Sequence, residues 1–140
     1  LLRISAVFLV GKLLMQLVSA HRYFADLSFQ FPDFIIGYLH LVFLGIVSVC
    51  LFAFLLYFRL IRLPKILFWT YFTGFVLSEI LIFYKGMSQW LGLPFFSDYF
   101  GILVAVSALL PLSIYFILLI SWTSTEEELG YGREGQEEIY

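Results

Sequence analysis

The chain alternates between long apolar segments and short breaks in which charged residues, proline and glycine collect. The longest segment, 34–58, is almost wholly apolar and is broken by one ionisable side chain, His40. About 20 apolar residues, each rising about 1.5 Å, cross a hydrocarbon core of about 30 Å. The pattern therefore predicts an all-α polytopic membrane protein. Its four transmembrane helices are expected to form an antiparallel bundle, at about 4–20, 34–58, 66–84 and 100–122.

Composition supports a lipid environment. The chain is 62% hydrophobic and only 13% charged, too few polar side chains to cover a water-soluble domain. We therefore expect the lipid bilayer to be its main partner. The net charge of -2 and the lack of a clustered basic face argue against a nucleic-acid partner.

The short breaks predict an orientation. Arg59, Arg62 and Lys65 follow the second segment, and basic residues in short loops are retained on the cytoplasmic side. We therefore expect a multi-pass membrane protein whose N-terminal end and C-terminal tail are cytoplasmic. The tail, 123–140, is acidic and rich in glycine, and this composition is typical of disorder.

The first segment has a second interpretation. Val18, Ser19 and Ala20 resemble a signal-peptidase site, with Arg3 as the basic start, although Lys12 interrupts the region that should be uncharged. No methionine precedes Leu1, and we therefore expect a fragment of a longer protein. Other helices of that chain, or other membrane subunits, are then expected partners.

Polar residues inside the apolar segments are the candidate functional residues. A charged side chain in a bilayer costs about 2.5–3.5 kcal/mol on insertion scales, so each should turn toward protein or water. Counting along the helices places five of them roughly 6–12 Å below the same membrane face, in one predicted buried layer. They are Lys12, Gln16, His40, Glu79 and Ser107.

Each of these residues also has a structural interpretation. Lys12 and Glu79 are of opposite charge and would hold the first and third helices together as an ion pair. A histidine alone on an apolar helix is commonly a hydrogen-bonded packing residue, which is the alternative to a ligand or proton relay at His40.

One short segment resembles a known family. Residues 37–45, Gly-Tyr-Leu-His-Leu-Val-Phe-Leu-Gly, are similar to the His-x-His helix near the C-terminal end of the catalytic subunit of heme-copper oxidases. The resemblance implies that His40 ligates a low-spin heme, with its partner ligand on a helix before Leu1. Tyr38 stands where the family has the ligand of its oxygen-reducing heme, so the resemblance implies heme binding and leaves enzymatic activity open.

The alternative to a heme-binding protein is a non-enzymatic membrane subunit or a transporter-like protein. In that case the intramembrane polar residues are structural or line a polar path. The sequence has no Cys/His metal cluster, no glycine-rich phosphate loop and no nucleophile elbow of the kinds found in soluble enzymes.

Overall fold

The computed structural model describes residues 1–94 and 97–137, with side chains described for 1–94 and 97–123. These residues form helices and no strand. The elements are α1 (Leu2–Ser19), α2 (Arg22–Gln30), α3 (Asp33–His40), a π-helical segment (Leu41–Val47), α4 (Ser48–Tyr57), α5 (Lys65–Leu91) and α6 (Tyr99–Glu137).

Four helices are long and apolar enough to cross a membrane, as predicted. They are Leu2–Ser19, Asp33–Tyr57, Lys65–Leu91 and the Tyr99–Thr123 part of α6. Asp33–Tyr57 joins α3, the π-helical segment and α4. The third helix continues past its predicted end at 84 to Leu91. Gly86, one of the expected stop signals, lies inside the helix, and the left-handed Gly92, at φ 66°, ends it instead. Helix α6 continues to Glu137, so the described backbone of the predicted tail is helical, and 138–140 lie outside the described residues.

Helix α2 was not predicted. It lies in the break between the first two apolar segments, where the sequence analysis placed only a loop. His21 caps it, since its Nδ1 accepts a hydrogen bond from the backbone N–H of Tyr23 at 3.4 Å. Arg22 and Asp26 form an exposed i,i+4 ion pair on one side, whereas Phe24 and Leu27 face a pocket described below.

Helix α5 is the central helix of the described structure. Contacts along it proceed in a regular order, from Lys85 with Asp33, through Phe83 with Gly37, to Phe75 with Gly45. The opposite side of α5 packs on α6. The buried hydrophobic cluster lies among α4, α5 and α6 and consists of Phe52, Phe68, Tyr71, Phe75, Leu110 and Ile117. Three of the buried polar residues among the described side chains, Ser78, Glu79 and Ser88, lie on α5.

Candidate functional site

Glu79 is the buried carboxyl group at the centre of the candidate site. Helix α5 presents it toward α3, and the residue is 8% exposed. Neither of its carboxyl oxygens has a hydrogen-bond partner among the described residues. Burying a carboxyl group without hydrogen bonds in an apolar interior costs free energy. Such a group therefore calls for a structural or functional explanation.

His40 is the nearest ionisable partner of Glu79 among the described side chains. It is the last residue of α3, and its Nδ1 lies 3.7 Å from Oε1 of Glu79. This distance is too long for a hydrogen bond and short enough for an ion pair when the imidazole is protonated. The side chain of His40 is 41% exposed and that of Glu79 is 11% exposed, so the histidine is the more accessible of the two.

The backbone changes its winding immediately after His40. Residues Leu41–Val47 form a π-helix, an uncommon geometry that is often found at functional sites. The Leu44 carbonyl accepts a hydrogen bond from the Tyr71 hydroxyl at 2.9 Å, and the Phe43 carbonyl accepts one from Ser48 at 3.0 Å. Side-chain hydroxyls thus satisfy carbonyl groups of the widened turn, and α5 supplies one of them.

A second ion pair lies on the same interface between α3 and α5. Lys85 Nζ donates to Oδ1 of Asp33 at 2.9 Å, and the side chain of Asp33 is 9% exposed. Asp33 precedes His40 by seven residues and Lys85 follows Glu79 by six, so the two pairs are about 10 Å apart along the helices. Sequence reasoning missed this pair because it ended the third helix at 84 and placed Lys85 in a loop.

Two phenylalanine–glycine contacts lie where α3 packs against α5, near these ion pairs. The ring of Phe83 approaches Gly37 so closely that a Cβ atom there would lie 2.9 Å from Cε2 of the ring. The ring of Phe34 packs in the same way on Gly86, where an added Cβ atom would lie 3.2 Å from Cε1 of the ring. Glycine allows α3 and α5 to approach each other. The Phe83 ring lies between the two ion pairs, and the Phe34 ring lies beside the Asp33–Lys85 pair.

Of the five predicted polar residues, the structure brings only two into contact. Lys12 is half-buried and forms no ion pair with any described residue, so the expected Lys12–Glu79 pair is not observed. Gln16 is exposed, and the Ser107 hydroxyl donates to the Val104 carbonyl of its own helix at 3.1 Å. Only His40 and Glu79 come together.

The position of α1 explains this difference. It packs on the π-helical segment and α4, at the edge of the described bundle, and only 6% of its most apolar window is buried. Ser5 is the one buried residue of α1, and its hydroxyl lies 2.9 Å from Cys50 Sγ. A polar side chain can turn toward protein only where a neighbouring helix lies on its side of the helix, and α1 has few neighbouring helices.

Binding of a low-spin heme sets a requirement on the described residues. Such a heme commonly takes two axial ligands from the protein. The described chain offers His40, while its other histidine, His21, caps α2 outside the pair. No group of three His, Cys, Asp or Glu side chains in the described part could hold a metal ion. These residues alone therefore do not fit a bis-histidine heme.

The comparisons with known proteins identify no family for this chain. No family model, no curated protein and no solved structure matches the chain. The function therefore has to be argued from the four apolar helices and from the pairing of His40 with Glu79.

Proposed function

We propose that this chain is a multi-pass membrane protein whose four apolar helices cross the bilayer in antiparallel order. Large apolar side chains are exposed along all four helices, as lipid contact requires; examples are Leu17, Phe43, Ile80 and Leu118. The order of contacts supports the antiparallel arrangement, because residues advancing along α3 and the π-helical segment meet residues receding along α5.

The orientation follows from the loop between α4 and α5. Arg59, Arg62 and Lys65 lie in or beside this loop, and basic residues in short loops support a cytoplasmic side for it, together with the start of α1 and the end of α6. His40, Glu79 and the Asp33–Lys85 pair then belong to the outer half of the membrane.

Within this scaffold, we assign to His40 and Glu79 a proton-binding role of the kind found in transporter-like proteins. The observation that carries it is the 3.7 Å contact between two buried atoms, His40 Nδ1 and Glu79 Oε1, neither of which has a hydrogen-bond partner in the described structure. Intramembrane ionisable residues commonly mark proton relays or substrate paths.

The chemistry of the pair favours one bound proton. With one proton, the pair is neutral overall, either as imidazolium with carboxylate or as imidazole with carboxylic acid. Adding or removing a proton leaves a net charge in an apolar interior, which is costly. The half-exposed His40 is the side from which a proton enters, and the Asp33–Lys85 pair lies about 10 Å farther along the same interface.

Infrared difference spectroscopy between about pH 5 and about pH 8 tests this role, because imidazole changes its charge in that range. We expect the carboxylic C=O band of Glu79 to change with pH, to vanish in Glu79→Gln and to lose its pH dependence in His40→Gln. Asp26→Asn, at the exposed pair of α2, is the matched control and should leave the band unchanged. A pH-dependent band that survives Glu79→Gln would contradict the proposal.

Heme binding at His40 is the second candidate function. It is favoured by the ring orientation, in which Nδ1 faces a carboxyl group, as it does in many metal-ligating histidines, and much of the side chain is exposed. A second axial ligand would have to come from outside the described residues. Visible absorption of the purified protein tests it: a heme band that is lost in His40→Ala supports this function, and a colourless protein excludes it for this chain.

A further inference from the structure

A pocket of about 640 Å³ lies at the end of the bundle nearest α2, apart from the His40–Glu79 pair. The last turns of α1, the apolar side of α2, the start of α3 and the end of α5 line it, and it is open on one side. Its volume falls within the range of about 300–1,000 Å³ that is usual for small-molecule sites. Four separate elements thus build one concave site, and α2 covers one side of it.

The lining of this pocket is apolar and carries no charge. Phe24, Leu27, Phe34 and Trp90 are among its walls, and none of the described lining residues is Lys, Arg, His, Asp or Glu. A carboxylate or ammonium group entering the pocket would lose water without gaining a counter-ion. The occupant that fits is therefore neutral and largely apolar.

Hydrogen-bond donors on the wall narrow the ligand chemistry further. The hydroxyls of Ser19 and Ser28 already donate to carbonyls of their own helices, each at 2.9 Å. Tyr38, which is half-buried, and Gln16, which is exposed, also line the pocket, and neither side chain has a hydrogen-bond partner among the described residues. Both groups can donate, so the ligand should present an acceptor such as a carbonyl oxygen.

We infer that this pocket binds a neutral acyl ester, with its hydrocarbon chain against the phenylalanine and leucine side chains and its ester carbonyl at Tyr38 and Gln16. The volume holds on the order of 20 methylene-sized groups, given about 30 Å³ for a water molecule, which suits one acyl chain with its ester. The ester can come from a bilayer lipid or from a free single-chain ester, which share this chemistry.

Trp90 lines the pocket and provides the readout. The tested protein is the full chain in detergent with Trp69→Phe and Trp122→Phe, so that only Trp90 fluoresces, and the probe is a brominated acyl methyl ester. We expect saturable quenching, about tenfold weaker binding after Tyr38→Phe combined with Gln16→Leu, and little binding of the corresponding free fatty acid. Tyr57→Phe, an exposed tyrosine outside the pocket lining, is the matched control and should bind the ester normally.

Two controls make the result decisive. A second single-tryptophan protein that keeps only Trp122, which is 70% exposed and does not line the pocket, reports simple partitioning of the ester into detergent. Quenching that rises linearly and equally at Trp90 and Trp122 would overturn the inference, as would equal or tighter binding of the free acid. Circular dichroism of each variant shows that it is folded before binding is compared.

The source of the ester is settled in nanodiscs that contain a small fraction of brominated phospholipid. If a bilayer lipid inserts its chain, Trp90 is quenched more strongly than Trp122 at the same lipid fraction. Equal quenching there, with saturable binding of the methyl ester in detergent, identifies a free single-chain ester as the ligand. The test does not depend on the His40–Glu79 pair, because neither residue lines the pocket.

Discussion

Helices α1 and α5 look alike in sequence and differ in surroundings. Both are long and apolar, and both carry an ionisable residue well inside the helix, Lys12 in α1 and Glu79 in α5. In the most apolar window of each, 6% of α1 is buried and 39% of α5 is buried. Glu79 faces His40, whereas Lys12 faces no acid of the described chain. An ionisable residue inside an apolar helix thus meets a partner here only where another helix packs on that side.

Glycine positions show the same contrast at atomic scale. A Cβ atom added at Gly11 of α1 would have no neighbour within 4 Å. A Cβ atom added at Gly74 of α5 would lie 2.9 Å from Leu109 Cβ and 3.3 Å from the Val106 carbonyl oxygen, both on α6. Gly74 is therefore a point of close helix packing, and Gly11 is not. Substitutions on the two helices should differ accordingly.

The largest expected effect is at Lys85. Lys85→Ala leaves Asp33 buried without its cation, and such a loss destabilises a fold by about 3–5 kcal/mol. The measurement is unfolding by SDS titration in mixed micelles. Lys12→Ala is the matched control on α1 and should change stability by less than about 0.5 kcal/mol. Equal losses in the two variants would show that α5 is no more enclosed than α1.

The next effect is expected at Gly74. Gly74→Ala forces α5 and α6 apart, and overpacking of this kind costs about 1–3 kcal/mol. The same SDS titration measures it. Gly101, on α6, has no atom within 4 Å of an added Cβ, so Gly101→Ala is the control that should not lose stability. Unchanged stability of Gly74→Ala would contradict the close contact between α5 and α6.

A smaller loss is expected at Tyr71. Its hydroxyl donates to the Leu44 carbonyl of the π-helical segment, and Tyr71→Phe leaves that carbonyl with one donor fewer, at a cost of about 0.5–1.5 kcal/mol. Tyr57→Phe, at a tyrosine that is 81% exposed, should cost nothing measurable. The carbonyl stretch of Leu44 labelled with ¹³C should shift only in Tyr71→Phe, and no shift would rule out this bond in the membrane.

The sequence predicted the number of long helices. It did not predict which helix packs against which. Apolar length is a local property, so four apolar helices could be read directly from the chain. Helix α2 was missed because its apolar side, Phe24 and Leu27, is short and lies among polar residues; the i,i+3 spacing was the available signal.

The candidate site was predicted only in part, for a reason of helix rotation. Depth can be counted from helix ends, and His40 and Glu79 do lie at one level. Which side of a helix meets which neighbour depends on packing, such as Phe83 on Gly37 and Phe75 on Gly45. Those contacts turn Glu79 toward α3, and no pattern within a single helix contains that information. The π-helical segment after His40 was likewise beyond any local periodicity.

The smallest expected effect has the opposite sign and lies on α1. Gly11→Ala adds a methyl group that meets no atom within 4 Å, so it cannot overpack. Alanine favours a helix over glycine and reduces the freedom of the unfolded chain, which should stabilise the protein by about 0.4–1 kcal/mol. In the SDS titration the midpoint should rise for Gly11→Ala and fall for Gly74→Ala. If Gly11→Ala instead destabilises the chain, a surface of α1 that is open in this structure is covered in the membrane, and the contrast between α1 and α5 would belong to the isolated chain alone.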